Sequence, residues 1–359
     1  MISTKIIKVS PERPEQSRLK EAADALKDGR LVIIPTETVY GIAADMSNNK
    51  ALGRLYKIKK RPENKPFSLH VDKKERIEEF ASAIPASAYR LIDKFWPGPL
   101  TLILKSKNSG GASGIGTIGL RMPDNKVALE IIAQAGVPII CPSANISGKP
   151  APVNFSEAIK DLNGLVELAI DAGSARLGIE SSIVDLTVLP PEVLREGAVK
   201  KEDILAILRK KNILFVCTGN SCRSVMAEAV LKKILKEKNR DDVEVVSAGI
   251  MMMGGTGATE STREILRKRG MDVSGHISQR ITPDMVKKAD MILVMEQLQE
   301  KRILEMFPEV KFKLFLLKEF AKISDNSLEI DDPIGKPVEF YEKTFEVIKE
   351  SVERISSII

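Results

Sequence analysis

The sequence has few of the residues that build disulfide frameworks and metal centres. Its 359 residues include only three cysteines and two histidines. Cys141, Cys217 and Cys222 do not form the even, closely spaced set of a secreted disulfide-rich domain. With only His70 and His276 beside them, no zinc site of familiar spacing can be assembled. We therefore expect no resident metal ion, and the cysteines become candidates for other chemistry.

Long hydrophobic runs are also missing. No apolar stretch has the length of a transmembrane helix, and the opening residues, MISTKIIKVSPERPEQ, lack the apolar core of a secretory signal. We therefore expect a cytoplasmic protein without a membrane partner. A strong excess of one charge is absent too, since 55 basic and 49 acidic residues leave a net charge of +6. Such a mild excess permits contact with nucleotides or RNA without requiring it.

Length and patterning indicate two α/β domains. The chain is longer than most single domains, and apolar strand-like runs alternate with helical patterns in both halves. The join, LREGAVKKEDILAILRKKNILFV, has no Gly/Ser-rich or Pro-rich linker, and residues 200–208 predict a short helix. We place the domains at residues 1–209 and 210–359, and expect limited swing between them.

Residues 213–224, ILFVCTGNSCRS, carry the strongest chemical signal. A buried strand is predicted over 213–216 and a helix after Ser224, so the loop between them enters a helix N-terminus. Such a loop aims backbone N–H groups inward and binds anions. The same field would stabilise Cys217 as a thiolate nucleophile, and Arg223 can hold two phosphoryl oxygens at once. The alternative, a buried structural cysteine beside an incidental arginine, is disfavoured by the rarity of this spacing.

A cysteinyl-phosphate mechanism also needs an acid that protonates the leaving group. Asp332 precedes Pro333 in a turn before a long amphipathic helix and is the best candidate. Asp331 is the adjacent alternative. A plain helix-entry role is the structural explanation for either residue.

The second half resembles the low-molecular-weight protein tyrosine phosphatase family over residues 211–359. CTGNSCRS, SAGI, VSGHISQRIT, ADMILVM and the Asp-Pro pair follow one another in the family's order. The resemblance implies a doubly wound parallel sheet, with Cys217 as nucleophile, Arg223 as transition-state clamp and Asp332 as acid and then base. It implies that the phosphate loop and its supports comprise Thr218, Gly219, Asn220, Ser221, Cys222, Ser224, Ser247 and His276.

Within that family the resemblance leaves the phosphoprotein substrate open. Tyrosine-directed members usually carry an aliphatic residue where Ser221 stands, whereas arginine-directed members carry threonine. The hydroxyl of Ser221 therefore favours phosphoarginine weakly over phosphotyrosine. The resemblance also implies that Cys222 can form a protective disulfide with Cys217 under oxidation.

In the first half, several predicted strands end in polar side chains. In α/β sheets such strand ends are where ligands bind. The pattern predicts one polar cleft suited to a nucleotide and a small zwitterion. The basic run at residues 57–65 is either a solvated helix end or a clamp for a triphosphate. The strand ends carry PTETVYG at 35–41, Arg121, Ser143, Asn145, Ser181 and Arg195.

PTETVYG, K-x-R-P before PFSLHV, FWPGPLTLIL, LRMP, PSANISG, ESSIVD and LREG make residues 5–208 similar to the YrdC-domain family. That family makes threonylcarbamoyl-adenylate for the N6-threonylcarbamoyladenosine modification of transfer RNA. The resemblance implies a twisted mixed or mostly parallel sheet with a concave basic cleft. It implies a reaction that joins L-threonine, bicarbonate and ATP, with Mg²⁺ accompanying the nucleotide, and releases pyrophosphate. The product would pass to the tRNA-modification machinery, with the basic cleft available for tRNA contact.

The same resemblance assigns two sets of ligand-binding residues. The residues implied for threonine are Thr38, His70, Arg121, Ser143 and Ser181. Those implied for ATP are Lys59, Arg61, Lys65, Thr117, Asn145 and Arg195.

Two functions follow as alternatives. The first is a bifunctional enzyme that carries the synthase and the phosphatase on one chain. The second is an RNA-binding or regulatory module whose first half has lost catalysis and uses the basic cluster on RNA phosphates, fused to an active phosphatase.

Overall fold

The computed structural model describes residues 3–107, 116–251, 255–323 and 327–359. The chain divides into two compact units, Met1–Leu208 and Arg209–Ile359. In the described ranges, no helix combines the length and apolarity needed to cross a membrane.

The first unit is a mixed α/β layer structure, as predicted. Its described strands are β1 (Lys5–Lys8), β2 (Val32–Ile34), β3 (Gly41–Asp45), β4 (Leu69–His70), β5 (Ala81–Ser82), β6 (Leu100–Ser106), β7 (Thr117–Arg121), β8 (Ile139–Ile140), β9 (Leu168–Asp171), β10 (Ser182–Asp185) and β11 (Glu192–Arg195). Its helices are α1 (Gln16–Lys27), α2 (Asn49–Lys59), α3 (Ile77–Phe80), α4 (Ala86–Phe95), α5 (Lys126–Ala135), α6 (Phe155–Lys160) and α7 (Lys201–Arg209), which reaches the unit boundary.

The strands form one sheet in the order β1-β9-β2-β3-β8-β4-β7-β6-β10-β11, with β5 paired to β6. The sheet contains both parallel pairs, such as β4 with β7, and antiparallel pairs, such as β6 with β7. Buried apolar side chains cover both faces of the sheet. The mixed sheet confirms the predicted fold class, and its short central strands bring several strand ends together.

The residues at the two ends of α2 determine where the side chain of Lys59 lies. Asn48 caps the helix by accepting hydrogen bonds from the backbone N–H groups of Lys50 and Ala51, both at 3.1 Å. The helix ends at Lys59, and Lys60 adopts a left-handed conformation with φ 50°. That turn separates the buried Lys59 from Lys60 and Lys65, which are exposed.

The second unit is a four-stranded parallel sheet between helices, which confirms the predicted doubly wound class. The described strands are β12 (Lys211–Cys217), β13 (Val243–Gly249), β14 (Met291–Val294) and β15 (Leu314–Leu316), in the order β13-β12-β14-β15. The helices are α8 (Arg223–Glu237), α9 (Glu260–Lys268), α10 (Pro283–Lys288), α11 (Gln297–Met306), α12 (Leu317–Phe320) and α13 (Val338–Ile355). Because all pairs are parallel, the carboxyl ends of the strands share one edge, where Cys217 lies.

Candidate active sites

The first unit contains a cavity of about 140 Å³ at its strand ends. Residues from both predicted ligand sets line it together: Thr38, Lys59, Arg61, His70, Arg121, Ser143, Ser181 and Arg195. Asn145 lies directly behind this wall, hydrogen-bonded to Lys59. Lys65 and Thr117 are not among the lining residues. The Lys65 side chain is exposed, and Thr117 begins β7 at the strand end opposite Arg121.

Arg121 is held in a buried ion pair that the sequence analysis did not predict. Its Nη2 lies 2.7 Å from Glu37 Oε1 and donates to Thr38 Oγ1 at 2.9 Å, while Nε donates to the Gly98 carbonyl at 3.4 Å. Only Nη1 is left uncommitted by these contacts. A bidentate pairing of Arg121 with a substrate carboxylate would therefore have to share Nη2 with Glu37.

His70 contributes a buried hydrogen-bond acceptor. Its Nδ1 lies 3.3 Å from the Ser68 carbonyl, and because a carbonyl only accepts, Nδ1 carries the ring proton. Nε2 is buried and finds no partner among the described residues. Burial first, and then the charge of Arg121, lower the pKa of His70 to about 3, so the ring stays neutral. The cavity wall thus offers one lone pair to a ligand donor.

Lys59 connects the two predicted ligand sets. Its Nζ donates to the Ser143 carbonyl at 2.6 Å and to Asn145 Oδ1 at 2.8 Å, and Ser143 Oγ donates to the same Asn145 oxygen at 2.6 Å. Burial, followed by repulsion from Arg61, lowers the pKa of Lys59 to about 8. Ser143, implied for threonine, and Asn145, implied for ATP, therefore share the buried ammonium group of Lys59.

Two guanidinium groups complete the cationic wall. Arg195 donates from Nε to the Ser181 carbonyl at 2.9 Å and pairs with Glu180 at 2.9 Å. Arg61 donates to the Lys65 carbonyl at 2.8 Å and lies 5.1 Å from the ring centroid of Phe67. These contacts hold both guanidinium planes at the cavity, where polyphosphate oxygens would meet fixed positive charge.

The second unit places a cysteine loop between β12 and α8. Cys217 Sγ lies 3.0 Å from Ser224 Oγ and accepts from the Asn220 N–H at 3.3 Å. Asn220 adopts φ 54°, a left-handed conformation that asparagine tolerates better than most residues. The loop therefore aims the Asn220 N–H at the sulfur, as is expected of an anion cradle.

Asn220 is the centre of the network that braces this loop. It is fully buried, and its Nδ2 donates to Ser224 Oγ at 3.0 Å and Ser247 Oγ at 2.8 Å. Its carbonyl accepts from His276 Nε2 and from Ser278 Oγ, both at 2.8 Å. The structure thus brings Asn220 together with Ser224, Ser247 and His276 of the predicted set, and adds Ser278.

The SAGI segment has a steric role at the same place. A Cβ on Gly249 would lie 2.8 Å from the Thr218 carbonyl oxygen and 3.0 Å from the Asn220 nitrogen. Only glycine lets β13 approach the loop this closely.

Cys222 is a free thiol whose Sγ contacts Thr259 Oγ1 at 3.4 Å and Ser221 Oγ at 3.7 Å.

Arg223 is buried and binds two carboxylates. Its Nη2 pairs with Asp332 Oδ2 at 2.5 Å and its Nη1 with Glu296 Oε2 at 2.9 Å. Nη1 also donates to the Ile330 carbonyl at 2.8 Å, whereas the buried Nε finds no acceptor among the described residues. Asp332 therefore lies beside the clamp, as a leaving-group acid must, while Asp331 is exposed.

Two functional candidates in this unit were missed by the sequence analysis. Glu296 follows the ADMILVM run directly, and Gln299 is buried one turn later. Gln299 Nε2 donates to Thr218 Oγ1 at 3.1 Å and to Glu296 Oε2 at 2.7 Å. The polar residues after a buried strand were the available signal, because such residues reach the ligand edge of a parallel sheet.

Comparison with known families follows this division of the chain. Residues 24–197 match the Sua5/YciO/YrdC family, described as telomere recombination, and residues 212–358 match the low molecular weight phosphotyrosine protein phosphatase family. The threonylcarbamoyl-AMP synthase of Pyrococcus abyssi is 38% identical over 60% of this chain and 64% of its own length. The match therefore spans less than two thirds of that relative.

A second curated relative and one solved structure are also similar to this chain. A putative threonylcarbamoyl-AMP synthase of Mycobacterium tuberculosis is 41% identical over 54% of this chain and 92% of its own length. The crystal structure of P. abyssi Sua5 complexed with L-threonine is 29% identical and matches with a TM-score of 0.55. It covers 87% of this chain and 99% of that chain.

Proposed function

Because the chain belongs to the Sua5/YrdC family in its first unit and to the low-molecular-weight phosphatase family in its second, we propose that it is a bifunctional enzyme. The first unit makes L-threonylcarbamoyladenylate from L-threonine, bicarbonate and ATP. The second removes phosphate from proteins through a cysteine nucleophile. The product of the first reaction serves the threonylcarbamoylation of tRNA.

The synthase reaction needs positioning and charge stabilisation, and no covalent nucleophile. The threonine nitrogen bonds to the carbon of bicarbonate with loss of water, and an oxygen of the resulting carbamate attacks the α-phosphorus of ATP. The bond between the α-phosphorus and the oxygen that bridges it to the β-phosphate breaks, and pyrophosphate leaves. Lys59, Arg61 and Arg195 offset the charge that develops on the phosphates, while Arg121 and His70 orient the amino acid.

Mg²⁺ would enter this site with the nucleotide. The described residues hold no group of three or more His, Cys, Asp or Glu side chains that could bind a metal ion. The triphosphate oxygens would supply most of the ligands, as is usual for Mg²⁺. When bound, the ion would neutralise phosphate charge alongside the cationic wall.

The observation that carries the synthase proposal is the contact of Lys59, which lines the cavity, with both Ser143 and Asn145. It is tested by pyrophosphate release from ATP by the full chain. Release should require both L-threonine and bicarbonate, and Arg121→Met should reduce it. Salt-sensitive binding of tRNA without turnover would favour the RNA-binding alternative instead.

The phosphatase reaction proceeds in two displacements. The Cys217 thiolate attacks phosphorus, the bond to the leaving group breaks, and Asp332 gives that group a proton. Water, deprotonated by Asp332, then attacks the cysteinyl phosphate, releases inorganic phosphate and restores the thiolate. Arg223 donates from Nε and Nη2 to the equatorial oxygens of the phosphoryl group and stabilises them in both steps.

The pairing of Asp332 with Arg223, which ends the loop that begins at Cys217, carries this second proposal. Cys217→Ser should abolish hydrolysis of an aryl phosphate by the full chain and leave threonine-dependent pyrophosphate release unchanged. Retention of hydrolysis by the serine variant would reject the mechanism.

Phosphoarginine is the substrate class that we propose for the second unit. Ser221 places a hydroxyl on the loop, and the carboxylates of Glu296 and Asp332 lie beside the arginine clamp. Carboxylates there suit a guanidinium leaving group, which carries positive charge and donates hydrogen bonds. A comparison of kcat/KM for a phosphoarginine and a phosphotyrosine peptide tests this. A higher kcat/KM for the phosphotyrosine peptide would instead assign phosphotyrosine as the substrate class.

A further inference from the structure

Lys318 is a buried lysine behind the segment that carries Asp332. It lies in α12, directly after β15, and is 5% exposed. Its Nζ donates to the Ser327 carbonyl at 2.5 Å and lies 3.4 Å from the Glu329 carbonyl. A buried ammonium is costly unless its protons are taken up, so these carbonyls are fixed around it.

From Glu329 the chain runs through a short series of anchored residues to the acid. The Ile330 N–H donates to the Met295 carbonyl at 2.9 Å, and the Ile330 carbonyl accepts from Arg223 at 2.8 Å. Asp332 then pairs with the same guanidinium. Lys318 holds the start of this segment and Arg223 holds its end.

We propose that Lys318 is a positioning residue for the leaving-group acid. By fixing the carbonyls of Ser327 and Glu329, it determines where the Asp332 carboxyl lies relative to the sulfur of Cys217. Lys318 acts on Asp332 through these backbone carbonyls. Its loss therefore acts on proton delivery, and leaves the nucleophile and its anion cradle in place.

This inference rests on the proposed phosphatase function, and leaving-group dependence separates the two. A phenol needs a proton when it departs, whereas 2,4-dinitrophenol leaves readily as an anion. A displaced acid therefore slows attack on phenyl phosphate and hardly affects 2,4-dinitrophenyl phosphate. General damage to the cysteine loop would slow both substrates alike.

Lys313 provides a matched control at the other end of β15. Its Nζ also donates to backbone carbonyls, of Val286 at 2.8 Å and Ala289 at 2.7 Å. It precedes β15, however, and so lies at the edge of the parallel sheet opposite Cys217. Lys313→Met therefore also removes an ammonium group that binds backbone carbonyls, but at the edge of the sheet opposite Cys217.

The experiment measures kcat/KM for both aryl phosphates with the full chain and its Lys318→Met, Lys318→Gln and Lys313→Met variants. We expect Lys318→Met to lose about tenfold or more on phenyl phosphate and less than about threefold on 2,4-dinitrophenyl phosphate, within the range of general-acid effects. Lys313→Met should keep the wild-type ratio of the two values. Adding Asp332→Asn to Lys318→Met should cost less than it costs in the wild type, because both changes remove the same proton transfer.

Equal losses on the two substrates, or no loss on either, would overturn the inference. If Lys318→Met does not fold, the ratio for Lys318→Gln, which keeps a donor but not the charge, decides by the same criterion. A wild-type chain that hydrolyses neither substrate would instead refute the proposed phosphatase function.

Discussion

Glu37 Oε1 and Arg121 Nη2 lie 2.7 Å apart in an ion pair whose side chains are 1% and 7% exposed. Truncation of one partner leaves the other charge buried and unpaired, which typically costs 3–5 kcal/mol. We therefore expect Glu37→Ala to lower the free energy of unfolding of the first unit by about 3–5 kcal/mol. Trp96, the only tryptophan of the chain, is buried in this unit, so its fluorescence during urea unfolding reports the first unit alone.

A surface ion pair of the same unit is the control for this measurement. Asp24 pairs with Lys20 one turn earlier on α1, where both side chains are exposed. Asp24→Ala should leave the urea midpoint unchanged, because solvent screens such pairs. A similar shift for the two alanine variants would contradict the special role of burial at Glu37.

The uncommitted Nε2 of His70 predicts selectivity for a hydroxyl-bearing amino acid. A ligand without a donor at this point leaves the buried acceptor unpaired, which costs about 1–3 kcal/mol. Valine has the shape of threonine without its hydroxyl, so the synthase should prefer threonine by roughly tenfold to a hundredfold in kcat/KM. In His70→Phe this preference should shrink, because the unpaired acceptor is gone.

Initial rates of pyrophosphate release with each amino acid measure this preference. Cys141→Ala is the control, since Cys141 is a buried lining residue of the same cavity and its thiol offers only weak hydrogen bonds. It should change both rates together and keep the preference. An unaltered ratio in His70→Phe would assign the discrimination to another side chain.

The lowered pKa of Lys59 predicts that nucleotide affinity falls with rising pH. Its ammonium is fully charged well below about pH 8 and loses its proton as the pH rises through about 8. Loss of one charged contact to the phosphates should weaken binding of a nonhydrolysable ATP analogue by about tenfold. Lys59→Arg should remove this dependence, because guanidinium keeps its proton throughout the range. Calorimetric titrations between about pH 7 and pH 9 measure both proteins.

The fold and the cysteine loop could be predicted because their signals are local. Cys217 and Arg223 lie within one strand–loop–helix segment, so their spacing alone indicates an anion cradle. The mixed sheet of the first unit and the parallel sheet of the second followed from the family resemblances and the alternation of elements, and the structure confirms both classes. The roles assigned to individual site residues stay predictions that the experiments above address.

The residues that sequence reasoning missed act through long-range contacts. Glu37 lies inside the PTETVYG segment, but an acid after a strand suggests a solvated turn until Arg121, 84 residues later, is placed against it. Glu296 was likewise missed, and its carboxylate pairs with Arg223, which lies 73 residues earlier in the chain. Lys65 and Thr117 illustrate the converse, because a motif position alone does not determine which side chains line the cavity.

The adjacent carboxylates Asp331 and Asp332 offer the sharpest test of the second site. Asp332 pairs with the buried clamp Arg223, whereas Asp331 is exposed. Asp332→Asn should lower kcat/KM for phenyl phosphate by about a hundredfold to a thousandfold, because an amide cannot donate the proton that the leaving group needs. Asp331→Asn removes the same charge from the neighbouring position and should stay within about threefold of the wild type. Because the two variants have the same net charge, a general electrostatic effect would lower both activities equally. A larger loss in Asp331→Asn than in Asp332→Asn would assign the role of leaving-group acid to Asp331.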